Sequence, residues 1–335
     1  MNLYLENGYA NMAGIIDIPV PFVFCIGGRG TGKTYGALKE IVSRETTFFL
    51  MRRLQSHIDI ISKPEYSPFK KLNVDLHWNI SVETIAKNQA AFYRDEKENP
   101  IGYAGALSTI SKIRGFDSSD VDIILYDEFV PERHEHAIKN EGAAFLNAYE
   151  TINRNRELSG GKPVKCLCLG NAENIMNALF VELGLVRKAE QMLRKGQIIS
   201  IDSKRGVAIV FLKDSPISKK KKESALYRLT SGNEFEQMAL NNDFVEREYN
   251  NVKSLKISEL KPIVTIGELT IYNHKVSSML YVSTHSSGSV PVYGTSEQEI
   301  IRFRRSYPWV FKMFLDGKII FEEFLCNALL TKYLS

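Results

Sequence analysis

Cysteine is scarce in this chain: 335 residues contain four, Cys25, Cys166, Cys168 and Cys326. They lie mostly in apolar, strand-like runs, and the pair at 166 and 168 would place both side chains on one face of a strand. That pattern predicts buried free thiols rather than a disulfide framework or a zinc site. No uninterrupted apolar run approaches the roughly 18 residues that a membrane span needs. The first 20 residues also lack the charged start, long apolar core and cleavage site of a secretory leader. The expectation is a cytoplasmic chain with no membrane partner. With 44% hydrophobic and 24% charged residues, the fibrous, collagen-like and disordered classes are excluded, and the length allows two domains with large cores.

A strong overall charge is missing too, since the formal net charge is only +4. Its distribution is uneven. Residues 187 to 225 hold 11 Lys and Arg against 4 Asp and Glu, whereas residues 1 to 186 hold 20 against 23. The basic stretch includes SPISKKKKESA, with Lys219, Lys220, Lys221 and Lys222 in a row between serines and a proline. Such a run reads either as a solvated connector between folded parts or as a strip contacting the phosphates of a polyanion. The boundaries expected on this basis are 1–186, a basic linker region at 187–225, and 226–335.

What is present most distinctly is FVFCIGGRGTGKTYGALKEI, residues 22 to 41. An apolar strand-like run meets glycines, a Lys-Thr pair and a helical stretch, in the G-x-x-x-x-G-K-[ST] spacing of a P-loop. Successive N–H groups of Gly27, Gly28, Arg29, Gly30, Thr31 and Gly32 can curl around phosphate oxygens, and the helix that carries Thr34 and Tyr35 aims its positive end at the same anion. Lys33 is expected to reach the β- and γ-phosphates, and Thr34 to offer its hydroxyl to Mg²⁺. The cofactors expected are therefore ATP and Mg²⁺.

Further along, VDIILYDEFVPE reads as a hydrophobic strand ending in Asp127 and Glu128, a Walker B pattern. In a parallel sheet its carboxyl end lies beside the P-loop, so Asp127 can hold the Mg²⁺ while Glu128 polarises the attacking water. That second acid favours hydrolysis over phosphoryl transfer to a small molecule. VKCLCLGNAEN fits an additional strand between the two motifs, with Asn171 at its tip as a γ-phosphate sensor or an ordinary turn residue. An amphipathic helix in EGAAFLNAYETINRNRELSGGK runs out at Arg154, Asn155 and Arg156. Basic residues there answer the helix dipole, or one of them enters a neighbouring subunit's site. Arg52 and Arg53 end the strand-like TTFFLMRR; they are read as crevice-facing phosphate, base-side or coupling residues, with a surface ion pair as the alternative.

Taken in order, GGRGTGKTYG, FFLMRR, ILYDEF, TINRNRE and CLCLGNA resemble the DNA-packaging ATPases of phi29-type small tailed phages, and YRLTSGNEFEQMALNNDFV extends the likeness past the lysines. The resemblance implies an α/β, P-loop ASCE ATPase domain with a mainly parallel sheet. It also implies a homo-oligomeric ring, pentameric in the family, that drives double-stranded DNA through the procapsid portal in the host cytoplasm and docks through a structural RNA. It makes Arg154, rather than Arg156, the finger acting in trans.

Packaging enzymes of larger phages carry a nuclease after the ATPase. KPIVTIGELTIYNHKVSSMLYVSTHSSGSVPVYGT reads as successive strands and turns, compatible with a smaller α+β domain of ribonuclease-H-like fold. Two-metal cleavage needs converging carboxylates. The first strand offers only Glu268, and the next ends in Ser283-Thr284-His285, so a vestigial, docking or DNA-gripping domain is expected. The rival readings are another ASCE translocase or helicase, and a nucleotide-gated scaffold with little turnover.

Overall fold

The computed structural model describes all residues except 96–97, 114–117, 133–134, 136–137, 173–175, 231–250, 275–277 and 335. The chain forms two compact units, Met1–Asn174 with Met192–Phe244, and Ile175–Gln191 with Val245–Ser335.

The first unit is built on nine strands: β1 (Phe22–Gly27), β2 (Phe48–Arg52), β3 (Ile80–Ala86), β4 (Gln89–Arg94), β5 (Gly102–Ala106), β6 (Ile123–Asp127), β7 (Lys165–Gly170), β8 (Ile199–Asp202) and β9 (Val207–Leu212). Their order is β3-β4-β5-β2-β6-β7-β1-β9-β8. The run from β5 to β9 is parallel throughout, and only the outer pairings β3–β4, β4–β5 and β8–β9 are antiparallel. Central strands such as FVFCIG and VAIVFL are near-continuous apolar runs because both faces of a parallel sheet are covered. Helices α1 (Met12–Ile16), α2 (Lys33–Ser43), α3 (Gln55–Ile61), α4 (Lys70–Leu76) and α5 (Glu141–Asn153) belong to the same unit. Val23, Cys25, Leu38, Ile41, Leu50, Leu125 and Leu167 form part of one continuous core. All four cysteines are buried free thiols.

β7 lies between β1 and β6, as the additional-strand pattern requires. Pairing Cys25 and Asp127 with Leu169 brings the three strand ends level, so the residues just beyond them share one crevice.

The basic stretch 187–225 is not a linker over its length. β8 and β9 lie within it, β9 pairs with β1 inside the sheet, and most of the lysine run lies in the short helix α8 (Pro216–Lys221). The expected boundary at 186 also shifts. Helix α6 (Ala178–Glu182) and most of α7 (Val186–Arg194) fall in the second unit, where Arg187 forms an ion pair with Glu323 at 2.6 Å and Glu190 accepts the Phe324 N–H.

The second unit contains an antiparallel meander, β10 (Leu260–Ile266), β11 (Leu269–His274) and β12 (Leu280–Ser283), with β13 (Val292–Tyr293) parallel to β10 and β14 (Ile319–Phe321) parallel to β12. Helices Glu297–Ser306, Pro308–Leu315 and Phe324–Leu334 supply Phe303, Val310 and Leu330 to the core that covers Val264, Ile266, Ile271 and Val282. Of the stretch 227–245 that extends the family resemblance, 231–245 lies outside the described residues.

Candidate functional site

The loop after β1 turns tightly enough to require glycine. Gly30 and Gly32 have φ of 66° and 83°, and Gly32 caps the start of α2, so the chain passes from strand end to helix within five residues, 28 to 32. Inside the turn, Lys33 is only 8% exposed and its ammonium donates to the carbonyls of Gly27 at 2.9 Å and Gly28 at 2.8 Å, and to Asn171 Oδ1 at 3.3 Å. Burial lowers its pKa from 10.5 to about 8. The Thr31 hydroxyl closes the loop on the Gly28 carbonyl at 3.0 Å.

Thr34 Oγ1 lies 3.0 Å from both Asp127 oxygens. A hydroxyl and a carboxylate at adjoining strand and helix ends are the hard oxygen ligands a divalent cation takes. Asp127 is buried, and burial raises its pKa against the opposing pull of Arg52. Glu128 follows in the left-handed region, φ 59°, which non-glycine residues seldom adopt. That turn carries its carboxylate out of the strand, where it is half exposed and bonded to Arg52. The residues present therefore fit a nucleoside triphosphate with a divalent cation. Arg29, Gly30, Thr31, Gly32, Lys33, Thr34, Tyr35, Asp127, Glu128, Glu132 and Asn171 all line one cleft of about 310 Å³.

Arg52 and Arg53 part company. Arg52 reaches the Walker B pair, 2.8 Å from Asp127 as well as bonded to Glu128. Arg53, read from sequence as facing the same crevice or the surface, is instead fully buried and holds Glu141 at 2.7 Å and Glu135 at 2.6 Å. Neighbouring residues at a strand end project to opposite sides, which explains the division. Glu141 is the first residue of α5, so Arg53 fixes the start of the helix whose other end is capped by Arg154.

Arg154 is exposed in a left-handed turn, φ 45°. Arg156 is turned inward, donating to the carbonyls of Ser118 at 3.0 Å and Ser119 at 2.8 Å. The Tyr35 hydroxyl is engaged by Asp75 at 2.9 Å. The lysine run is divided as well: Lys219, Lys220 and Lys222 are exposed, whereas Lys221 is half-buried and donates to the Arg29 carbonyl at 2.7 Å.

Several members of this neighbourhood escape the motif reading. Glu132 pairs with Arg29 at 2.6 Å. Tyr9 packs beside Gly32, and the Ala10 N–H bonds to the Thr31 carbonyl at 2.9 Å. Only the VPE continuation of the Walker B stretch hinted at Glu132; nothing in the sequence pointed to residues 9 and 10. In the second unit, Glu322 is the acid missed beside Ser283 and His285: it accepts from Ser283 Oγ at 2.6 Å and lies 3.0 Å from His285 Nδ1. Among the described residues, no group of three or more His, Cys, Asp or Glu side chains could hold a metal ion.

The DNA packaging protein of Bacillus phage phi29 is 28% identical over 228 residues, 66% of this chain and 61% of that protein's own length. That of Bacillus phage B103 is 29% identical over 227 residues, 66% of this chain and 64% of its own length. Solved structures of the phi-28 gp11 DNA packaging motor and of the bacteriophage phi-29 genome packaging motor assembly share the fold, with TM-scores of 0.71 and 0.66 at 18% and 20% identity. They cover 98% and 100% of this chain, and 99% and 100% of their own. The model of the podovirus DNA encapsidation protein (Gp16) matches residues 9–300, and the chain belongs to that family.

Proposed function

We propose that this protein is an ATP-hydrolysing ring motor that moves double-stranded viral DNA into a preformed procapsid. The observation that carries the reading is the meeting of Lys33, Thr34, Asp127, Glu128 and Asn171 at one sheet end, in a chain of the encapsidation family.

In this reading the loop from Gly27 to Gly32 and Lys33 would hold the triphosphate, and Thr34 and Asp127 would hold Mg²⁺, which when bound would supply charge neutralisation at the phosphoryl group. Glu128 orients and polarises the attacking water. Arg52, bonded to both acids, sets when Glu128 is available to that water, and Asn171 senses the terminal phosphate beside Lys33. Arg154 enters the next subunit's site. The inward bonds of Arg156 support this choice, because that side chain already has a structural task.

The ring is read as a pentamer at the portal vertex, in the host cytoplasm, docked through a structural RNA. None of the helices among the described residues is long and apolar enough to cross a membrane. The second unit is read as a docking or DNA-gripping domain without nuclease chemistry, since Glu268 lies in the turn between β10 and β11 and Glu322 is bonded to Ser283 and His285.

The test is DNA-stimulated ATP turnover together with its loss in Glu128→Gln. That variant keeps Lys33, Thr34 and Asp127, so nucleotide affinity should hold within about threefold while turnover falls by roughly 10²-fold or more, the range of a lost general base. DNA protection inside procapsids should fall with it. Near-normal turnover in Glu128→Gln contradicts the assignment, and turnover indifferent to DNA favours a scaffold.

A further inference from the structure

We infer that Lys221 is a second phosphate-binding lysine, delivered to the P-loop within the same chain by α8; this deepens the ATPase reading above and rests on it. Its ammonium donates to the Arg29 carbonyl at 2.7 Å. A Cβ added to Gly30 would lie 2.0 Å from Lys221 Nζ, so the cation occupies the space that the bare glycine leaves on the loop. Among the described residues no carboxylate pairs with it.

The position is built. Ser215, fully buried just before α8, donates to the Gly8 carbonyl at 3.3 Å, and Gly8 packs against Pro216 and Ile217. Two residues on, the Ala10 N–H bonds to the Thr31 carbonyl at 2.9 Å. The start of α8 is thereby registered on the P-loop itself, and the helical turn that exposes Lys219, Lys220 and Lys222 directs Lys221 inward.

Two ammonium groups on one glycine loop repel each other, and Lys221 adds to the effects that lower the pKa of Lys33. Phosphate oxygens beside this loop turn that repulsion into attraction toward both lysines. Nucleotide binding then also acts on α8.

Amine-reactive labelling read by mass spectrometry tests this in the unaltered chain. A non-hydrolysable ATP analogue with Mg²⁺ should slow modification of Lys221 at least about fivefold and leave Lys219 and Lys220 unchanged. In equilibrium binding, Lys221→Met, which keeps an unbranched apolar stem beside Gly30, should weaken the ATP analogue by about tenfold and ADP by less, and Lys221→Arg should recover most of the loss. Labelling of Lys221 that ignores the nucleotide overturns the inference, as do unaltered affinities in Lys221→Met. If the unaltered chain binds neither nucleotide and Lys33→Ala behaves like it, the ATPase reading fails and this inference with it.

Discussion

Burial places Lys33 where a cation is poorly served, because its three acceptors are two backbone carbonyls and an amide oxygen, none of them charged. Its pKa of about 8 lies below the 10.5 of an exposed lysine, so between those values the folded chain binds fewer protons than the unfolded one. The stability of the chain without nucleotide should therefore rise as pH increases through that window. Phosphate oxygens act in the opposite direction and raise the pKa of Lys33 in the complex. Above about pH 8 binding must take up a proton, and affinity should fall with rising pH; below about pH 7 the lysine is charged in both states and contributes no slope. Calorimetry in buffers of differing ionisation enthalpy should find proton uptake near pH 9 that largely disappears near pH 7. Equal uptake at both would show that Lys33 does not titrate in this range. Lys33 and Thr34 are legible from sequence because a phosphate loop needs those residue types at fixed spacing, and Asp127 and Glu128 because they end an unbroken apolar strand run. Lys221 is not, since it comes to the loop from 191 residues beyond Gly30 and looks like any other member of a solvated lysine run.

The order of elements was readable where apolar runs ended in chemistry. β1, β6 and β7 each carry a motif at the tip, and the placement of β7 between the other two follows the additional-strand pattern. A charge count over 187–225 hides β9, although the unbroken apolar run VAIVFL marks a strand covered on both faces. Arg53 is hard to place for a different reason: its neighbour Arg52 faces the site, and only the ion pairs with the part-buried Glu135 and the buried Glu141 reveal the opposite orientation. These two arginines place the Walker B acids and the first residue of α5 at one strand end, while the far end of α5 presents Arg154. In the proposed reading Arg154 is a finger presented to a neighbour, and turnover then depends on assembly. Arg154→Ala chains retain Glu128, and Glu128→Gln chains retain Arg154, so mixed rings should recover hydrolysis that neither variant has alone. Recovery arises where Glu128→Gln lends its arginine to an intact Glu128 next door, so it should follow the mixing ratio and vanish when rings dissociate. Mixed rings that form without recovery would assign Arg154 a role within its own subunit.

At the scale of the whole molecule, a formal charge of +4 on 335 residues is too small for affinity toward a polyanion to come from net charge. Any sequence-independent hold on DNA must come from local groups of exposed cations. The lysine run is one such group, but it supplies three side chains rather than four, because Lys221 is bonded to the P-loop backbone and turned from solvent. Each lysine that neutralises a duplex phosphate releases counterions and contributes about 0.9 to the slope of log affinity against log salt. Replacing Lys219, Lys220 and Lys222 together by glutamine should reduce that slope by at most about 2.7, with the same change on unrelated DNA sequences. Lys221→Gln alone should leave the slope unaltered, even where it weakens nucleotide binding. Filter binding or fluorescence anisotropy across a salt series, performed without nucleotide, separates the two effects. A slope unchanged by the triple replacement would leave the exposed lysines as a solubilising surface, whereas a slope reduced by Lys221→Gln would return that residue to the DNA-facing strip and away from the phosphate loop.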